Sequence, residues 1–102
     1  MIAFNHTIKI LPEIEKDWLE WLQREHIPAI MATGLFDSFR LYRLLDQEDE
    51  EDGKTYTIQF FTSSQERYQQ YIDQFYPAFG SEALARWGNQ FIGFRTIMEL
   101  VN

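Results

Sequence analysis

The residues of this sequence best suited to chemistry near neutral pH are two histidines, one arginine and a handful of uncharged polar groups. His26 closes a run of apolar residues at helical spacing and stands two residues before Pro28. A neutral imidazole there is a candidate catalytic acid or base, or a ligand anchor. The competing reading is a helix-end histidine bonded to a backbone carbonyl that the proline has freed. His6 stands among Ile2, Phe4, Ile8 and Ile10 in an alternating segment and reads as structural. Arg95 lies between Gly93 and Ile97. It is suited to a carboxylate ligand, and equally to an ion pair with Glu99 or with an acid on a partner chain. Asn5, Thr7, Tyr42 and Gln59 are candidate ligand-binding residues beside it, as donors and acceptors of one cavity or of a wet polar interface.

Stronger signatures are missing. The chain has no Gly-rich phosphate loop, no nucleophile elbow and no paired-histidine metal spacing. It has no cysteine, which removes thiolate nucleophiles, thiolate metal sites and disulfides. No metal and no cofactor is expected. The acidic run Asp46, Glu48, Asp49, Glu50, Glu51 and Asp52 holds six of sixteen acids and all but one unit of the net charge of −7. It lacks the alternating ligand spacing, central glycine and distal glutamate of a calcium loop, so it reads as a solvated hairpin tip. The remaining body is near neutral without a basic stripe, which argues against nucleic acid and anionic membranes.

These residues need elements to position them. Ile2 to Ile10 alternates as a strand with one buried face. Ile14, Trp18, Leu22 and His26 recur every fourth residue, with Trp21 beside them, as the stripe of an amphipathic helix. Pro28 is expected to kink or break that helix, with a further turn over 29–33, and Gly34 to end it in a left-handed conformation. Phe39 to Leu45 and Lys54 to Thr62 pair as a hairpin across the acidic loop. Ser63 and Glu66 form a capping box that opens a second helix with the stripe Tyr68, Tyr71, Ile72 and Phe75. Pro77 and Gly80 interrupt it, and 81–87 forms a short helix stopped by Gly88. Phe91 to Val101 is the last strand.

The order strand, helix, strand, strand, helix, strand predicts one domain over residues 1–102. Its class is α+β: a ferredoxin-like βαββαβ sandwich, with a four-stranded antiparallel sheet and both helices on one face. The helix side is expected to take Ile2, Phe4, Ile8, Ile58, Phe60, Phe94 and Met98. The open side is expected to carry Asn5, Thr7, Thr57, Gln59, Phe61, Arg95 and Ile97. A monomer seldom leaves a large apolar patch bare, so a homodimer through the open face is expected.

The segment His26-Ile27-Pro28-Ala29-Ile30-Met31-Ala32-Thr33-Gly34-Leu35-Phe36, preceded by Trp18-Leu19-Glu20-Trp21-Leu22, resembles a bacterial domain-of-unknown-function family, number 4286. Asn5 and Thr7 in the first strand and Phe94-Arg95-Thr96 in the last are similar to it as well. His6 departs from that pattern, where an aliphatic residue is expected. The resemblance implies a dimeric α/β barrel and no particular activity.

Two functional readings follow. The favoured one is a non-catalytic dimeric module that binds a small molecule or another protein. The alternative is a cofactor-independent enzyme, monooxygenase- or isomerase-like, acting on a small organic substrate in the barrel cavity. There His26 would serve as acid or base, and Arg95 with Asn5 would orient the substrate. The aromatic content of 17% fits either reading. The apolar stretches fall far below the ~20 residues that span a bilayer. No signal peptide is visible at the start of the chain, and a cytoplasmic protein is expected.

Overall fold

The computed structural model describes residues 1–48 and 50–102, and of Glu50 only the backbone. Asp49 and the Glu50 side chain, part of the acidic run, therefore lie outside the described residues. Strand β1 (Ile2–Ile10) alternates as its sequence requires. Ile2, Phe4, Ile8 and Ile10 are buried on one face, with His6 half-buried among them. Strand β3 (Lys54–Thr62) buries Tyr56, Ile58, Phe60 and Thr62 on the same face. Strands β2 (Ser38–Arg43) and β4 (Phe91–Glu99) form the edges. The antiparallel order is β2-β3-β1-β4, the ferredoxin-like arrangement, and the single chain is an open sheet rather than a closed barrel.

The helical layer begins with a 3₁₀ turn at Pro12–Ile14 and helix α1 (Glu15–Trp21). Ile14, Trp18, Trp21 and Leu22 are buried against the sheet. Each such side chain contributes about 1.5–3 kcal/mol relative to exposure, so this stripe fixes the helix on its face. The helix does not break at Pro28. A π turn at Leu22–His26 carries it directly into α2 (Ile27–Met31), with Pro28 in the first turn of α2. The Ile27 amide reaches back to the Leu22 carbonyl, five residues away. This wider turn spares the clash of a proline ring with the carbonyl four residues earlier. It also shifts the apolar stripe by one residue, so Ile27 is buried and His26 falls at its margin, half-exposed. Gly34 ends the segment at φ +75°, as expected from its position.

Helix α3 (Gln65–Gln74) is capped by Ser64, not Ser63: the Ser64 hydroxyl accepts from the Arg67 amide at 3.2 Å. Ser63 instead donates its backbone N–H to Asp37 Oδ2 at 3.1 Å. Arg67 donates to Asp37 Oδ1 at 3.0 Å and to the Gly34 carbonyl, tying α3 to the loop after α2. Helix α4 (Tyr76–Trp87) is longer than the short helix expected. Pro77 stands in its first turn, where no N–H is needed, and Gly80 is tolerated inside it. Phe75, at φ −121° and ψ −38°, makes the break between the two helices.

The acidic hairpin is closed by Gln47, which donates to the Gly53 carbonyl at 2.9 Å and accepts from the Thr55 amide at 3.0 Å. Among the described residues no helix is long and apolar enough to cross a membrane.

Candidate functional site: an aromatic cavity with two imidazoles

The pairing of β4 with β1 decides which side chains meet. Residues directly opposite in an antiparallel pair point to the same face. Phe4 faces Ile97, His6 faces Arg95 and Ile8 faces Gly93. Arg95 and Ile97 therefore lie on the helix side, while Phe94 and Met98 lie on the open side. The expected assignment of β4 was inverted. Both of its alternating sets mix apolar and polar residues, so periodicity alone does not choose between them.

The other four candidates do share the open face. Asn5 stands opposite Gln59, and Thr7 opposite Thr57, which is opposite Tyr42. The Thr7 and Thr57 hydroxyls are 3.2 Å apart, and Asn5 Nδ2 donates to Met98 Sδ at 3.5 Å. Asn5 is buried, and its Oδ1 has no partner among the described residues. Around this polar strip Ile92, Phe94 and Tyr42 stand exposed, Phe94 by 63%.

On the helix side, His6 and His26 meet. Both line one cavity between sheet and helices, with Phe4, Leu22, Tyr71, Tyr76 and Phe79 among its walls. Its volume is about 30 Å³, room for a water or two. His26 stacks on Trp21 with ring centroids 4.5 Å apart, and meets Phe79 edge-on at 5.8 Å. Its Nδ1 is buried with no hydrogen-bond partner among the described residues, so that nitrogen does not make the carbonyl bond expected of a helix-end histidine. Burial pushes the His26 pKa down to about 4, and the charge of protonated His6 nearby adds to the effect. The His6 pKa is lowered too, first by burial and then by the Arg95 guanidinium. Both imidazoles are neutral at pH 7. Burial, with a smaller contribution from Tyr76, raises the Tyr71 phenol well above its usual range, so it too is neutral.

Arg95 lies outside the cavity's lining but touches one of its walls and stands opposite another, His6. The Arg95 Cζ lies 4.6 Å from the centroid of the Tyr76 ring, a cation–π contact. It makes no ion pair with Glu99 or any other acid among the described residues. Gly93, its neighbour on the same face, leaves space beside His6: a Cβ there would come within 3.5 Å of His6 Nε2.

A larger depression of about 550 Å³ opens on the outside of the helices, lined by Asp17, Glu20, Trp21, Arg24, Arg86 and Trp87. Its rim carries the exposed Glu20–Arg24 pair at 3.2 Å, worth little in solvent. The smaller cavity behind it is the one that holds both imidazoles. Of this constellation His26 and Arg95 stood out as functional candidates in the sequence. His6 was legible as facing inward with Phe4 and Ile8, but nothing in the sequence placed it next to His26. Tyr71 was legible as part of an apolar stripe.

Fold and site together define a ferredoxin-like α+β protein with an aromatic, mainly apolar cavity that holds two imidazoles. The chain belongs to the family described as a domain of unknown function, DUF4286, whose model matches residues 1–101. The sequence has no match among curated proteins. Several solved structures share its fold. The heme-degrader MhuD from Mycobacterium tuberculosis, solved with two hemes in its active site, is 16% identical with a TM-score of 0.72, over 100% of this chain and 97% of that one. A dimeric ferredoxin-like protein from an uncultured marine organism is 10% identical with a TM-score of 0.67, over 99% and 96%. SnoaB, a cofactor-independent oxygenase from Streptomyces nogalater, is 14% identical with a TM-score of 0.64, over 99% and 93%. At these identities the likeness is one of fold.

Proposed function

We propose that this chain is a homodimeric, non-catalytic module that binds a small organic molecule between its sheet and its helices. The observation that carries the reading is the unsatisfied, buried Nδ1 of His26, a side chain that lines an aromatic cavity together with His6. A buried polar atom without a partner costs about 1–3 kcal/mol, and a ligand donor would recover that cost. Two neutral imidazoles and a neutral phenol offer acceptors and donors inside apolar walls, the usual make-up of a small-molecule site. Drug-sized molecules need about 300 Å³ or more, so the cavity has to widen around its occupant. A porphyrin does not fit it as built.

Pairing rests on the open face. Ile92, Phe94 and Met98 are exposed there beside a buried Asn5, and a second copy would cover them, forming a barrel from two open sheets. A protein of the same fold that is described as dimeric supports pairing.

The alternative is a cofactor-independent enzyme. A neutral His26 as proton acceptor and the shared fold of a cofactor-independent oxygenase speak for it. The low basicity of that imidazole speaks against it, since an effective general base has a pKa near the working pH. Native mass spectrometry of protein purified without denaturation tests the proposal. The expected species is a dimer carrying a small organic adduct that His26→Phe loses. A bare dimer with no adduct, and no small molecule that raises its melting temperature, would overturn the binding reading.

A further inference from the structure

Resting on the binding reading above, we propose that Arg95 is the anion subsite of this cavity and that Tyr76 is its gate, so that the natural occupant is a small planar aromatic acid. Three observations converge on the rim. Arg95 is a cation with no carboxylate partner among the described residues. Its guanidinium carbon lies over Tyr76, 4.6 Å from the ring centroid, and Tyr76 is itself a cavity wall. Its opposite number across the β1–β4 ladder is His6, and the glycine two residues before it keeps the strand clear of His6 Nε2. The guanidinium, an imidazole and an aromatic wall thus meet at one place on the sheet.

The exchange that opens the cavity is one of contacts. In the closed form Arg95 spends its charge on the face of Tyr76, a weak contact at an exposed site. An arriving carboxylate offers the guanidinium a bidentate, charge-assisted pair, which is stronger. Arg95 leaves the ring for the anion, and Tyr76 is then held only by its edge contacts with Phe4 and Tyr71, at 5.9 and 6.3 Å, which the ring of an entering aromatic ligand can replace. Tyr76 is the first residue of α4 and follows the broken backbone of Phe75, so it stands where the chain has least helical restraint. Its movement widens the cavity beside Phe4, Tyr71 and His6, whose rings give an aromatic ligand edge and face contacts. The occupant's acid group stays at the rim with Arg95 and its ring goes in.

The test uses benzoate and its neutral isostere benzamide as probes, read by the ring signals of His6 and His26 in two-dimensional NMR of the full chain. With the wild type, benzoate should shift both imidazoles at a half-saturating concentration about tenfold or more below that of benzamide, as expected for a hydrogen bond to a charged group. In Arg95→Gln that preference should fall to within about twofold, with benzamide binding at least as tightly as in the wild type, because the contact that holds Tyr76 is gone. Arg95→Lys, which keeps the charge, should retain part of it. If both probes shift the imidazoles equally in the wild type, the cavity binds but Arg95 is no anion subsite, and the inference fails alone. If neither probe moves either imidazole, the cavity reading fails and takes the inference with it. Should Arg95→Gln lose its fold, the wild-type comparison and Arg95→Lys still decide the question.

Discussion

At the scale of single residues, the histidines set the molecule's response to pH. A histidine whose folded pKa lies below its unfolded value of about 6.5 stabilises nothing above that value, where both states are neutral. Below it the unfolded chain takes up protons first, so stability falls with pH until the folded pKa is passed. For His26, pushed down to about 4, that window runs from about pH 6.5 to about 4, and the loss across it is on the order of 3 kcal/mol. His6 acts in the same direction. Urea midpoints measured between pH 7 and 4.5 should fall more steeply for the wild type than for His26→Gln. Parallel profiles would show that His26 takes up its proton as readily in the folded chain as in the unfolded one. The inward facing of His6 was legible from strict alternation in β1, because Phe4 and Ile8 share its parity. The placing of Arg95 was not, since Ile92, Phe94 and Met98 match Phe91, Gly93 and Ile97 too closely for hydropathy to separate the faces.

At the scale of elements, the sequence foretold the order of strands and helices and lost precision where two neighbouring residues compete for one role. Ser63 and Ser64 both precede α3, and either hydroxyl suits a cap. The structure separates them by the anchoring of the chain: the Ser63 amide is held by Asp37, which turns the next residue into the capping position. Ser64→Ala should therefore cost about 1 kcal/mol of unfolding free energy, while Ser63→Ala should change it little, because only the backbone of Ser63 is used. Equal losses in thermal denaturation of the two variants would contradict this cap. Pro28 shows a different limit. Its effect on an ideal α-helix is legible, but the π turn that absorbs it depends on Leu22 and Ile27 both finding places in the core, at 0% and 2% exposure. That is a tertiary effect, and it is what turns His26 toward the cavity rather than into the apolar stripe.

At the scale of the whole molecule, the two faces of the sheet divide the work. The helix face encloses the imidazoles, and the open face leaves Phe94 at 63% and Ile92 at 73% exposure on an edge strand. An edge strand with apolar side chains invites association unless something covers it. The acidic loop offers no cover by composition. It holds nearly all of the net charge, and Gln47 closes it on its own hairpin. Phe94→Lys should thus give a monomer by light scattering with an unchanged circular dichroism spectrum, since this side chain makes little use of the chain's own core. Shortening the loop within residues 48–52 should leave the assembly a dimer. If Phe94→Lys stays dimeric, the open face is not the pairing surface. In that case the β2 edge, with Phe39 exposed by 44% on the helix side, becomes the next surface to test. The two functions separate in the same experiment. The cavity lies on the far side of the sheet, built from one chain, so a Phe94→Lys monomer should still show the benzoate-induced shifts of His6 and His26. Their loss on monomerisation would mean that pairing orders the helices around the cavity, and that binding belongs to the dimer.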